Sequence, residues 1–212
     1  MSDESFWDSR YAEQHHVWSG EPNVVLAREV DGLLPGRALD LGCGEGADAI
    51  WLAGRGWAVT AVDVSAVALD KAAARAAEAG VTVDFQRHDL AASFPAGSYD
   101  LVSAQFLYSR AGMPRERVLR SAAAAVAPGG ILLIEGHQDL GPFAARSLEH
   151  GDVHFPEPDE VVAALELPEG EWEVLLSEAH DRLQEGPDGR PAHRTDGTVK
   201  VRRRPRRGSG CR

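Results

Sequence analysis

Cysteine is nearly absent from this chain: of 212 residues, only Cys43 and Cys211 carry a thiol. One lies in a glycine-rich loop and the other is next to last. They make neither a disulfide framework nor a metal-ligand spacing, so no bound metal is expected. Long apolar runs are missing too. None approaches the roughly 20 residues a membrane-spanning helix needs, so no membrane partner is expected. The opening MSDESFWDSRYAEQHH is polar and acidic, unlike a secretory leader. These absences together lead to the expectation of a cytoplasmic location. No Pro/Ser-rich linker or internal repeat divides the chain. Residues 1–204 are therefore expected to form a single domain, long enough for one substantial core.

Charge is plentiful but unevenly spread. The formal net charge is −11, yet residues 200–212 hold seven of the 22 bases and no acid. The remainder carries 15 bases against 33 acids, so an acidic body repels nucleic acid and anionic lipid. Nucleic acid is therefore not expected as a partner. Residues 205–212 read as a basic, disordered tail.

What the chain has in abundance is strand and helix signals in alternation. Apolar runs Ala38–Gly42, Trp57–Asp63, Val81–Gln86, Tyr99–Gln105 and Ile131–Gly136 read as strands. Between them fall helical stretches. One begins at Gly46, with Ala47, Ile50, Trp51 and Gly54 on its expected inner face. Another runs from a Ser65 cap to Gly80, and a third starts at Pro114. A further helix is expected in EPDEVVAALEL. EWEVLLSEA and DGTVKVRR alternate polar and apolar residues and read as a closing hairpin at one sheet edge. This order predicts an α/β fold: a doubly wound, mostly parallel seven-stranded sheet with an antiparallel C-terminal hairpin. Ligands of such sheets bind at the carboxyl ends of the strands, where the strand order reverses.

The residues with chemistry fall on those loops. In DLGCGEG, Gly42 and Gly44 allow a backbone approach to a ligand and a positive φ. There is no Lys-Ser/Thr after the last glycine, so this is not a P-loop. The spacing G-x-G-x-G also departs from the dinucleotide fingerprint G-x-G-x-x-G. Asp40 at the strand end would be unwelcome beside a pyrophosphate and favourable beside an ammonium or a sulfonium. Asp63, in AVDVS, is placed to accept ribose hydroxyls, with Val64 next to it. Asp89 and Leu90, in HDL, are placed for an adenine amine and ring, or form a plain surface turn.

The ordered set DLGCGEG, AVDVS, HDL, YDLVSAQF and PGG-ILLIEG, over Arg37 to Gly136, resembles the class I S-adenosylmethionine-dependent methyltransferases. FWDSRYAEQHHVWSGEPN together with the glycine stretch resembles their small bacterial tellurite-resistance branch. The resemblance implies S-adenosylmethionine as cofactor. Asp40, Gly42 and Gly44 would hold its methionine part, Asp63 and Val64 the ribose, and Asp89 and Leu90 the adenine. Gln105, with Phe106 and Leu107, would flank the sulfonium. AQFLYS replaces the Asn/Asp-Pro-Pro-aromatic motif of base methyltransferases, which points to a small-molecule methyl acceptor. Tyr108 and His137 are the catalytic candidates, and His154 is a further residue placed to face a substrate.

Residues 1–30 are dense in aromatics and read as an N-terminal helical lid segment. Trp7, Tyr11 and Trp18 are either core or a helical lid, with Trp18 counted among the cofactor contacts because an aromatic face suits a sulfonium. His15 and His16 are adjacent and cannot share a helical face. Two alternatives to the enzyme remain: a nicotinamide-dependent oxidoreductase, and a non-catalytic S-adenosylmethionine- or RNA-binding module suggested by the arginine tail. Monomer and homodimer both remain open.

Overall fold

A computed structural model describes residues 2–109, 112–139, 155–186 and 189–205. Two helices, α1 (Asp3–Glu13) and α2 (Val24–Val30), precede an alternating series. It comprises β1 (Arg37–Leu41), α3 (Ala47–Ala53), β2 (Ala58–Asp63), α4 (Ala66–Glu78), β3 (Asp84–Arg87), β4 (Tyr99–Gln105), α5 (Arg115–Ala125) and β5 (Val126–His137). α6 (Pro158–Ala164), β6 (Trp172–Glu185) and β7 (Pro191–Arg203) complete the described elements. The seven strands form one sheet in the order β3-β2-β1-β4-β5-β7-β6. Strands β1 to β5 are parallel, and β7 is antiparallel to both β5 and β6. The expected architecture is thus the observed one, and the order reverses between β1 and β4.

Side chains alternate across the sheet and build two cores. On one face Ala38, Leu101, Ile131 and Leu133 pack with Leu26 and Val30 of α2 and Ala49 and Leu52 of α3. On the other, Leu39, Val102, Leu132, Ile134 and Val201 pack with Val118 and Leu119 of α5 and with Val161 and Leu165 of α6.

Local capping chemistry sets several boundaries. Ser65 Oγ accepts the Ala68 N–H at 3.1 Å and starts α4, which ends before Gly80 at φ +68°. α6 opens with a capping box between Glu157 and Glu160, followed by Pro158.

Four readings of the sequence need correction. The buried face of α3 is Ala49 and Leu52, while Gly54 is exposed. The helix is short, with Gly46 left-handed at its N-cap, and the face it docks on the sheet differs from the expected stripe. α2 is core rather than covering segment, because Leu26 is fully buried against the sheet. β5 begins at Val126, before Pro128-Gly129-Gly130. The proline lacks an N–H and Gly129 has φ +88°, so the chain bulges within the strand, with a register shift opposite Tyr99/Leu101. Finally, β6 and β7 are longer than the alternation suggested. Five of their residue pairs, Asp181–Thr195 to Glu185–Pro191, lie beyond the His137–Asp196 pair that ends the β5–β7 ladder. At about 3.3 Å per residue this arm overhangs the ligand edge by roughly 16 Å.

Candidate active site

The glycine loop after β1 is held by its own backbone and by Asp63. Gly42 and Cys43 N–H both bond Val62 O, and Gly44 N–H bonds Asp63 Oδ2 at 2.9 Å. Asp63 Oδ1 takes the Ser65 N–H, also at 2.9 Å. Burial raises the Asp63 carboxyl, and the backbone N–H groups of Ser65, Gly44 and Val64 oppose that. A carboxylate has about four lone-pair sites, so Asp63 ties the loop and retains acceptor capacity. Gly42 and Gly44 sit at φ +72° and +53°. A β-carbon on Gly44 would lie 2.8 Å from Tyr11 Oη and 3.3 Å from Trp18 Nε1. The N-terminal segment therefore packs directly on Gly44, as Leu107 does on Gly42, where a β-carbon would lie 2.7 Å from Leu107 Cδ1.

Asp40, at the end of β1, is 2% exposed, and its Oδ2 has no hydrogen-bond partner among the described residues. Burial first, then the charges of Asp48 and Asp63, hold its carboxyl well above the ordinary range. Asp89 lies past β3 on the same edge, since His88 N–H bonds Asp63 O. It is exposed, and its side chain accepts the Ala91 N–H of its own turn at 2.9 Å. Leu90 is half-buried against the core. Gln105 ends β4. Its Nε2 donates to Ser103 Oγ at 3.0 Å and its Oε1 is buried without a partner.

The N-terminal segment is anchored at several points. Asp8 Oδ1 accepts from Ser65 Oγ at 2.6 Å and from Val67 N. Lys71 Nζ donates to the carbonyls of Tyr11 and Gln14. Glu4 pairs with Arg87, and Ser109 Oγ with Asp3. Glu45, buried in the glycine loop, accepts the Val17 and Trp18 N–H groups and pairs with Lys71 at 3.3 Å. Trp18 Nε1 donates to Tyr11 Oη at 3.0 Å, and Trp18 is half exposed.

On the other side of Gln105 the chain builds an aromatic and charged wall. Phe106 has φ +49°, a region a bulky residue rarely adopts. Its ring lies 4.5 Å from that of His137, tilted by 31°, and Tyr108 lies parallel to the same imidazole at 5.4 Å. Tyr108 Oη accepts the His137 N–H at 2.5 Å. His137 Nδ1 is 2.7 Å from Asp196 Oδ1, and Arg182 Nε donates to Asp196 Oδ2 at 2.5 Å. Burial lowers the His137 pKa against the opposing effect of Asp196, which favours the neutral ring. Burial would raise Asp196, but hydrogen bonds from His137 and Arg182 outweigh it and hold the carboxyl below its usual value. Asp196 can only accept, so Nδ1 carries the proton and Nε2 keeps the lone pair.

Asp196, Arg182, Glu135 and Glu45 are functional candidates that sequence reasoning missed. Asp196 reads as a turn acid in DGTVKV, and Glu135 hides in the apolar run ILLIEG. Counting by twos back to Leu133 places Glu135 on the inner face, and that was the available signal. His154 lies outside the described residues, as do residues 206–212 of the basic tail. Of the bases before them, Arg202 pairs with Glu173 at 2.8 Å, and Arg203 bonds Val126 O at 2.8 Å. No helix among the described residues is long and apolar enough to cross a membrane.

Residues 38–130 match a family model described as a methyltransferase domain. That stretch carries the glycine loop, Asp63, Asp89 and Gln105, and stops before Glu135, His137 and Asp196. A ubiquinone biosynthesis O-methyltransferase of Pectobacterium atrosepticum is 35% identical over 107 residues, 50% of this chain and 44% of that protein. The chain spans about half the length of the curated relatives it matches. Among solved structures, one described as "Conversion of a Disulfide Bond into a Thioacetal Group during Echinomycin Biosynthesis" aligns at TM-score 0.72 and 23% identity, over 97% of this chain and 94% of that one. TehB from Haemophilus influenzae aligns at TM-score 0.66 and 17% identity, over 95% and 67%. Magnesium protoporphyrin IX methyltransferase from Synechocystis PCC 6803, with bound SAH, aligns at 0.63 and 19%, over 95% and 85%. The fold is the Rossmann-like methyltransferase fold, and residues 38–130 carry its methyltransferase-domain signature.

Proposed function

We propose that this protein is an S-adenosylmethionine-dependent methyltransferase acting on a small-molecule nucleophile that loses a proton on reaction. The observation that carries the reading is Asp40: a buried carboxylate with a free oxygen beside the glycine loop. An ammonium-bearing, cationic cofactor satisfies that oxygen and favours the ionised carboxylate, whereas a pyrophosphate brings only further acceptors and negative charge. This disfavours a nicotinamide dinucleotide.

Asp40 and the Gly42–Gly44 backbone would hold the methionine part, Asp63 with Val64 the ribose, and Asp89 with Leu90 the adenine. Gln105 and Trp18 would lie toward the sulfonium. Bound there, the cofactor supplies an electrophilic methyl whose leaving group is already activated, so alignment and dryness are the protein's main tasks. His137 Nε2 accepts the acceptor's proton. Asp196 holds Nδ1–H and stabilises the charge that forms on the ring, and Phe106 and Tyr108 fix its plane. Residues 2–20, pinned over Gly44 by Glu45, Lys71 and the Tyr11–Trp18 bond, act as the covering segment that excludes water. A phenol, thiol or amine fits a base; a metalloid oxyanion, the acceptor suggested by the tellurite-resistance resemblance, needs none.

Calorimetric titration with S-adenosylmethionine, followed by S-adenosylhomocysteine production against a panel of phenols, thiols, amines and metalloid oxyanions, tests the reading. Micromolar binding and turnover of one proton-bearing class are expected. Absence of cofactor binding, or tight binding of NAD instead, would overturn it.

A further inference from the structure

Three buried side-chain oxygens without partners stand on three neighbouring strands: Asp40 Oδ2 on β1, Gln105 Oε1 on β4 and Glu135 Oε2 on β5. All three residues lie on the α2/α3 face, in phase with Ala38, Leu101 and Leu133. Gln105 is directly paired with Glu135 across β4 and β5, and Ser103, to which Gln105 donates, is paired with Asp40. The charge of Asp48 acts on both Asp40 and Glu135, and its Oδ1 accepts the Asn23 N–H at 2.6 Å. Glu135 is 1% exposed, and its other oxygen lies 3.6 Å from His180 Nε2. The cradle is rich in acceptors; the donors beside Glu135 are the Asn23 side chain and His180, and its Oε2 has no partner among the described residues. A buried carboxyl oxygen left unpaired is costly, and a group bringing several N–H donors and a positive charge removes that cost.

We propose that Gln105 and Glu135 form a recognition site for an alkylammonium group beside Asp40. The assignment rests on the methyltransferase reading of the same edge. Two sources carry this chemistry: the ammonium of the cofactor's methionine part, and the amino group of an amine acceptor. Burial, with the charge of Asp196 adding to it, raises the Glu135 carboxyl to about 8, against the opposing influence of Asn23 and Arg182. A neighbouring cation would restore its charge.

The test compares wild type with Glu135→Gln by calorimetry at pH 7.5, using three probes, with benzyl alcohol as the uncharged control for the third. These are S-adenosylhomocysteine, 5′-methylthioadenosine (which lacks the amino-acid part), and benzylamine added to protein saturated with S-adenosylhomocysteine. If the cofactor supplies the ammonium, the variant binds S-adenosylhomocysteine at least tenfold more weakly and 5′-methylthioadenosine equally well. If the acceptor supplies it, benzylamine binding falls at least tenfold, benzyl alcohol binding is unaffected, and both nucleosides bind as before. Equal affinities of both proteins for all three probes would overturn the proposal and leave Glu135 a structural acid. Should Glu135→Gln not fold, Gln105→Leu replaces it, with a three- to tenfold loss expected on the same probe and no loss as the overturning result. Failure of wild type to bind either nucleoside would instead sink the methyltransferase reading, and benzylamine on the unsaturated protein would still report on the ammonium site.

Discussion

The two halves of the ligand edge are built by different means. The β1–β3 half is made of short loops whose geometry is local. Glycines adopt positive φ, Asp63 receives two backbone N–H groups from residues close by in the fold, and Ser65 caps the next helix. The β4–β7 half is assembled from distant pieces. His137 finds its carboxylate 59 residues away, and Phe106 is held in a left-handed conformation among its neighbours. The first half suits an invariant ligand. The second, with its overhanging arm, suits a ligand that differs from one enzyme to another; the family match over residues 38–130 covers all of the first half and β4 and α5 of the second, and stops before Glu135, His137 and Asp196.

The sharpest way to break the comparison is to damage one half alone. His137→Gln should lower turnover with the best acceptor by about 10²–10⁴-fold, the usual contribution of a positioned base, while S-adenosylmethionine affinity stays within twofold by calorimetry. Loss of cofactor affinity in this variant would show that the halves are one site.

Next in size is a contrast inside the first half. Asp40→Asn and Asp63→Ala should each weaken S-adenosylmethionine binding by about 1.5–3 kcal/mol, or roughly 10- to 150-fold. Their melting temperatures should part company. Asp40 has an unpartnered oxygen and a raised carboxyl pKa, so neutral Asn should hold or raise Tm. Asp63→Ala orphans the Gly44 and Ser65 N–H groups and should lower Tm by several degrees. Equal Tm changes would remove the distinction between a ligand-facing acid and a loop-tying one.

The covering segment gives a third test. Amide exchange in residues 5–20 should slow about tenfold or more on addition of S-adenosylhomocysteine, whereas β5 should change little. Identical protection with and without ligand would return Tyr11 and Trp18 to a purely structural role.

pH separates the halves more gently. Glu135 at about 8 and Asp48 at about 6 both lie above their unfolded values. Between about pH 4.5 and 8 the folded state therefore binds more protons than the unfolded one, so stability falls as pH rises through that window. Denaturant midpoints should drop from pH 6 to 8.5, and Glu135→Gln should flatten the upper part of that decline. A rising midpoint would contradict the assignment. The smallest effect is expected from removing residues 206–212. Arg202 and Arg203 are already engaged on the domain, so Tm and cofactor affinity should not move; a drop of either would show that the tail packs on it.

How much was legible follows the same division. Strand-helix alternation, glycine spacing and the acids at the ends of β1 and β2 are local patterns, and they announced the sheet, its reversal point and the residues beside it. The inner face of α3, Ala49 and Leu52, depends on how the helix docks on the sheet, which a seven-residue pattern does not register. Asp196 and Glu135 could not be read as site residues, because their roles depend on which strands become neighbours. The antiparallel insertion of β7 between β5 and β6 brings Asp196 against His137, and pairing of β4 with β5 sets Gln105 beside Glu135. The sequence by itself determined the fold class and which sheet edge carries the glycine loop and the acids beside it, since those rest on contacts within a turn or a strand. Tertiary structure alone decided which buried acids lack partners and which histidine has one, because burial and long-range register exist only once the sheet has formed.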